Sequence, residues 1–168
     1  EISALLRQVT GFSGLVHENM YRSDGWRFLS LGVSLERAAN MCGILAAGID
    51  EKAPLGMFDL ALDVGDSVVS HRAQFMSQAS TASVLGLLAF DPQNPRSIRY
   101  HLSRARQHIS RLPRQDSGHE LSDVAREVLR SEAHLMTSET AQVNPAFLIQ
   151  LRQDIWKIST ALNKAYFV

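Results

Sequence analysis

The residues best placed to do chemistry in this chain are an adjacent acid and base, Glu36 and Arg37. They sit in the stretch GWRFLSLGVSLERAANM, residues 25–41. Their neighbours Leu35 and Ala38 are apolar and the stretch has helical periodicity, so both charges are expected in an interior setting. Successive helical positions point about 100° apart, so Glu36 and Arg37 cannot face one another and each must find a partner elsewhere. Glu36 shares a line with Gly32, Ala39 and Gly43, small residues that let another helix approach closely or leave room for a ligand. A carboxylate buried there unpaired would be heavily penalised by lost hydration, and Arg22 and Arg72 are the expected donors. Arg37, one turn from both Val33 and Met41, is expected to thread between helices. The pair then either sets helix register as a buried ion network or lines a polar cleft for a substrate or a partner's segment. Spacing leaves both open.

A second constellation is a run of arginines. Arg96, Arg99, Arg104, Arg106, Arg111 and Arg114 lie in a stretch with no acidic residue between Asp91 and Asp116, and His101 and His108 share the helix. An apolar stripe through the same segment leaves these side chains on the outer faces, where they form either a solvated surface or a docking field for an acidic partner. Tyr100 is the lone aromatic among them, which argues against stacking of single-stranded nucleic acid and favours protein or phosphate. No metal is expected: His101 and His108 lack a third ligand at helical spacing, and His-Glu-x-x-His and paired cysteines are absent from the sequence. His71 beside Arg72 reads as a polar helix end. Gly11-Phe12-Ser13-Gly14 has no strand before it to make a nucleophile elbow. There is also no glycine loop ending in Lys-Ser or Lys-Thr, so a nucleotide is not expected to bind this polypeptide, and no cofactor is assigned.

Composition sets the outer bounds. The 168 residues suffice for one domain with a sizeable core, and 45% hydrophobic with 20% charged residues is ordinary for a globular chain. Seventeen basic residues balance seventeen acidic ones, which gives no global attraction to nucleic acid or to a membrane surface. Lys52, Lys157 and Lys164 are the only lysines; arginine, the rest of the basic set, suits bidentate pairing and burial. Cys42 is the one cysteine, lies in an apolar register, and reads as a small buried hydrophobe in a reducing compartment. No apolar run approaches the ~20 residues of a membrane span. The sequence opens at Glu1 with neither methionine nor leader, as a segment of a longer protein would.

Strand signals are nearly absent, and the elements that must position these residues are helices. Ile2, Leu5, Val9, Phe12 and Val16 make one stripe, followed by a break at Arg22-Ser23-Asp24-Gly25 where Ser23 or Asp24 can cap the next helix. That helix runs to about Gly48 with Phe28, Leu31, Leu35 and Cys42 in line. A loop holding Pro54 precedes a third helix with Phe58, Ala61, Val64, Val68 and His71 in register. A short apolar helix covers about residues 81–90. Asn94-Pro95 reads as a cap and first turn for the helix of Ile98, Leu102, Ala105, Ile109 and Leu112, closed by residues 113–118. Val124, Val128 and Leu135 mark the next helix. Asn144-Pro145 opens the last, with Leu148, Leu151, Ile155, Ile158 and Leu162. The expected fold is a single all-α domain over residues 1–168, a bundle of about six to seven helices.

Trp26-Arg27-Phe28-Leu29-Ser30-Leu31-Gly32 followed by Leu35-Glu36-Arg37-Ala38 resembles the bacterial alpha-E domain family, named for its helices and its Glu-Arg motif. Glu18, Met20 and Asp24-Gly25 ahead of this stretch, Arg72, Asn94-Pro95-Arg96-Ser97 and the ending Ala165-Tyr166-Phe167 fit the same pattern. Family members are typically nearly twice as long and carry another Glu-Arg helix, so the chain looks like their second half; Val33 also stands where the family often has a basic residue. The resemblance implies a cytoplasmic helper encoded beside, or fused to, a circularly permuted ATP-grasp ligase, often near a transglutaminase-like protein, and acting in peptide or amide-bond formation. It carries over Glu36, Arg37, Trp26, Arg72, Asn94 and Arg96 as motif positions without catalytic roles; the expected docking surface, Arg99, Arg104, Arg106 and Arg111, comes from the arginine run itself. Two other readings stay open: an enzyme half using Glu36 as general base for an amine, and a structural module that self-associates.

Overall fold

The computed structural model describes residues 2–76, 78–113 and 121–167, and among these it is all helical, with no strand. The periodic stripes become the helices α1 (Ile2–Asn19), α2 (Asp24–Gly48), α3 (Met57–Val64), α4 (Val68–Phe75), α5 (Thr81–Leu85), α6 (Ile98–Ile109), α7 (Asp123–Met136) and α8 (Pro145–Tyr166). A π turn, Gly86–Phe90, continues α5, and a 3-10 turn, Thr140–Gln142, precedes α8.

Four of these helices close a ring: α2 packs on α6 and α8, and α7 packs on the same two. Leu31, Leu35, Ala38 and Leu45 of α2 meet Leu102 and Ala105 of α6, Val128 and Leu135 of α7 and Leu151, Ile155 and Ile158 of α8 in one core. Each leucine, isoleucine or valine so withdrawn from water stabilises the fold by about 1.5–3 kcal/mol. Cys42 lies fully inside this core, and burial pushes its thiol up to about 12, so it acts as a hydrophobe. The predicted device at the start of α8 is present: Asn144 Oδ1 accepts the Phe147 N–H at 2.9 Å with Pro145 in the first turn.

The expected third helix is two helices. Its register breaks at Gly65-Asp66-Ser67, leaving Val64 exposed. Gly65 lies under Leu88 of the π turn, and a Cβ there would stand 2.7 Å from Leu88 Cδ2 and 3.0 Å from the Ala61 carbonyl. Asp66 follows with a left-handed φ of 46°. The restart at α6 also differs. Ser97, not Asn94, is the cap, its Oγ accepting the Tyr100 N–H at 3.0 Å. Asn94 is a clasp instead: its Nδ2 donates to Ser67 Oγ at 3.1 Å and to the Leu87 carbonyl at 3.0 Å, and its Oδ1 accepts from the Arg96 N–H at 3.0 Å. At α2 the N-cap is Ser23, with no side-chain cap hydrogen bond.

α1 forms, but its stripe faces water. None of its residues is buried, and Leu5 and Phe12 remain 60% and 65% exposed. Stability should follow this division. Leu102→Ala is expected to lower unfolding free energy by about 2–5 kcal/mol, as core truncations do. Asn94→Ala, which orphans the buried clasp, should cost about 1–3 kcal/mol. Phe12→Ala should stay within about 0.5 kcal/mol of the parent. Urea unfolding of the three variants checks the order, and a Phe12 effect as large as that of Leu102 would contradict it.

Candidate functional site

The polar junction of the fold lies between α2 and α6. Trp26 near the start of α2 meets His108 near the end of α6, ring centroids 5.0 Å apart at 77°. Arg37 one helical stretch later acts on His101 one stretch earlier, so the two helices run antiparallel. Ser34 is buried on the same side of α2. On the outside, the Arg22 guanidinium stacks 4.4 Å over Trp26 and donates to the His17 and Met20 carbonyls. The chain's ending closes the same end of α2: Phe28 packs edge-on against Tyr166 and Phe167, both at 5.1 Å, and Tyr166 donates to the Pro113 carbonyl at 3.0 Å.

Among the described residues five buried side-chain nitrogens lack a hydrogen-bond partner, and four line this seam: Arg27 Nε, both ring nitrogens of His101, and His108 Nδ1. Buried polar groups are normally paired, so such a concentration marks the seam as unusual. His101 is 3% exposed, and its pKa is lowered to about 4 by burial and then by Arg37, Arg104 and Arg96. His108 is lowered for the same kind of reason: burial first, then Arg104, Arg27 and Arg111. At neutral pH both imidazoles are uncharged beneath a rim of guanidinium groups.

The sequence expectations are redistributed by this geometry. Glu36 and Arg37 are exposed, and neither makes an ion pair or hydrogen bond with any described residue, so they are not a buried network. The proposed donors are elsewhere: Arg22 sits on Trp26, and Arg72 is exposed on α4. Arg37 does lean toward α6, its pKa lowered by burial and then by Arg96 and Arg104. The small-residue line serves α8 rather than Glu36. At Gly43 a Cβ would come within 3.2 Å of Arg152 Nη1, while Gly32 faces open space. His101 and His108, expected on the outer face of α6, are buried.

The arginine run also divides. Arg104 and Arg111 occupy the α2 shoulder of α6, where Arg104 donates to Tyr100 Oη at 3.1 Å and Arg96 reaches Asp66 at 3.6 Å. Arg99 and Arg106 lie on the opposite shoulder: Arg99 donates to the Phe90 carbonyl at 3.3 Å, and Arg106 pairs at 2.5 Å with Glu132 of α7. Among the described residues Glu132 is the buried carboxylate, and Arg106 is committed to it. Arg114 lies outside the described residues.

A separate open cleft of about 870 Å³ lies beside α3 and α4, lined by Asp59, Asp63, His71, Arg72, Met76 and Gln78. His71 is buried and its Nε2 meets Ser83 Oγ at 2.8 Å, in the capping box of α5, so it holds α4 to α5.

The neutral imidazole of His101 makes a pH prediction. Its folded pKa lies below the unfolded value of about 6.5, so below that value the unfolded chain binds a proton the folded chain refuses. Stability should therefore fall as pH drops from about 6.5 toward 4, by roughly 2–3 kcal/mol from this group. Urea titrations at pH 7 and pH 4.5 should show the loss in the parent and a flatter profile in His101→Leu. Equal slopes in both would place the acid sensitivity elsewhere.

No helix among the described residues is long and apolar enough to cross a membrane, and no three His, Cys, Asp or Glu side chains there are grouped to hold a metal. Uncharacterised proteins of Mycobacterium tuberculosis and Mycobacterium bovis are 31% identical to this chain over 105 residues, 60% of it. The match covers only 12% of each relative's length. No solved structure matches the chain. A family profile described as a predicted alpha-helical domain with a conserved ER motif matches residues 1–167, essentially the whole chain, and the protein belongs to this Alpha-E family.

Proposed function

We propose that this domain is a helical accessory partner of a circularly permuted ATP-grasp ligase, serving peptide or amide-bond formation. The observation that carries the reading is the α2 shoulder of α6. Arg37, Arg96, Arg104 and Arg111 gather there against one 3.6 Å pair to exposed Asp66 and the neighbouring charge of Glu36. Such a lane is complementary to an acidic protein surface and would steer its approach. The described residues hold no sheet, and the sequence has no phosphate-binding glycine loop, which suits a division of labour in which the ligase brings the nucleotide. The Alpha-E membership agrees with the resemblance from which the ligase partner is inferred.

The test uses the ATP-grasp protein encoded with this chain. Arg104→Glu combined with Arg111→Glu should weaken its binding at least about tenfold, and more salt should weaken the parent complex in the same direction. Titration calorimetry reads both, and unchanged affinity would rule the surface out. Arg106 is left intact because its reversal would orphan Glu132.

The exposed, unpaired Glu36 keeps the enzyme-half reading in view. As a surface position, Glu36→Gln should alter stability by no more than about 0.5 kcal/mol. In the accessory reading, ligation by the complex is unchanged as well. Lost turnover with ligase binding intact would instead favour Glu36 as a base.

A further inference from the structure

The seam between α2 and α6 presents a second, smaller unit of chemistry that does not depend on the ligase reading. Arg37 comes from α2, Arg96 from the turn before α6 and Arg104 from α6 itself. Beside them lies His101, 97% withdrawn from solvent, with the Pro95 backbone near its ring and neither ring nitrogen in a hydrogen bond of normal geometry among the described residues. The charged groups around this ring are these three guanidinium groups, with Glu36 beside Arg37, Asp66 on Arg96 and the Tyr100 hydroxyl on Arg104.

We propose that Arg37, Arg96 and Arg104, with the buried imidazole of His101 behind them, form a binding site for a tetrahedral oxyanion: inorganic phosphate or the phosphoryl group of a small metabolite. Three observations support it. First, the guanidinium groups are mutually repulsive and, among the described residues, only Arg96 has a carboxylate within ion-pair distance, so a bound dianion would offset positive charge gathered there. A guanidinium fork pairs bidentately with phosphoryl and carboxylate oxygens alike, but a phosphoryl group offers oxygens to several forks at once where a carboxylate has two. Second, a neutral imidazole can donate one N–H toward an anion, and the buried ring of His101 closes no hydrogen bond of normal geometry, although the Pro95 backbone lies near enough to act on it. Third, the rim is held in advance. The Arg96 backbone is fixed by Asn94 Oδ1 at 3.0 Å, and Asn94 is itself bound to Ser67 and Leu87. Arg104 is braced by Tyr100 Oη at 3.1 Å. Preorganised donors lose little freedom when a ligand arrives.

The experiment titrates the isolated chain at pH 7 and constant ionic strength with phosphate, sulfate and acetate in turn. It follows the His101 ring and arginine Nε–H resonances by NMR. Saturable shifts with phosphate and sulfate but not acetate are expected. Arg37→Gln and Arg104→Gln should each weaken binding about tenfold, and Arg37→Lys, which keeps the charge but loses the fork, should recover only part of it. The acid-limb pKa of His101, about 4 in the free protein, should rise in saturating phosphate because the anion favours the imidazolium. Circular dichroism confirms that each variant is folded. No saturable shift with any anion would overturn the proposal, as would equal saturation by acetate, which would mark a carboxylate-docking surface instead. Loss of ligase binding with phosphate binding retained, or the reverse, separates this site from the docking proposal.

Discussion

The structure turns on burying two uncharged imidazoles between α2 and α6. His101 and His108 occupy positions that leucines could fill, next to Ala105 and Leu112, yet they bring ring nitrogens into a seam with too few partners. A protonated ring there would add positive charge where Arg37, Arg96 and Arg104 already act, so the folded state holds the imidazole neutral. The cost of unpaired polar atoms is met by the apolar faces on either side. Leu31, Leu35 and Ala38 of α2 and Ile98, Leu102 and Ile109 of α6 belong to the same continuous core. Packing at one edge of the helix pair therefore tolerates poor polar satisfaction at the other, which is how functional surfaces are commonly carried on a stable scaffold.

Two long-range devices hold the seam in place. The Asn94 clasp ties the α3–α4 turn, the π turn and the start of α6 into one unit, so Arg96 is positioned by residues far away in sequence. On the far shoulder of α6, Arg106 pairs with the buried Glu132 of α7. Removing Arg106 would strand the buried Glu132 carboxylate, while Arg106 itself is half exposed, so the pair ties this shoulder of α6 to α7 more than it adds net stability. With that shoulder tied to α7, His101 and His108 face α2. α1 takes no part in this. An isolated helix of its length is marginal in water, and its uncovered stripe contributes nothing to the ring of four.

How legible this was depended on the range of the interaction. The stripes of α2, α6 and α8 were readable because periodicity is local, and so was the Asn144-Pro145 start. The break between α3 and α4 was not, because the demand for Gly65 comes from Leu88 across the fold. Asn94 misled for a related reason: its side chain can cap a helix or reach two distant groups, and the sequence does not rank those options. His101 and His108, polar by type, read from the sequence as outer-face residues, but they are buried. Their spacing of four, three and four with Ala105 and Leu112 was the available signal, and it placed them on the core face. The buried carboxylate was expected at Glu36 and found at Glu132, which lies one turn from Val128 and three residues before Leu135.

The adjacency of Glu36 and Arg37 has a geometric meaning. α2 meets α6 on one flank and α8 on another, its C-terminal end packs on α3, and the flank carrying Glu36 faces water. Gly43 takes the Arg152 guanidinium on the α8 side. Arg37 stands about 100° from Glu36 and so leans over the α6 seam, while Glu36 shares the outward flank with Asn40 and Val33. The two charges are thus neighbours in sequence that serve different surroundings. Arg37 acts with Arg96 and Arg104 on His101, and Glu36 tempers that field from the solvent side without closing onto any of them. A carboxylate drawn into the seam would neutralise the lane. One held just outside it leaves the positive rim open while limiting its self-repulsion, which is the arrangement an anion-accepting surface requires.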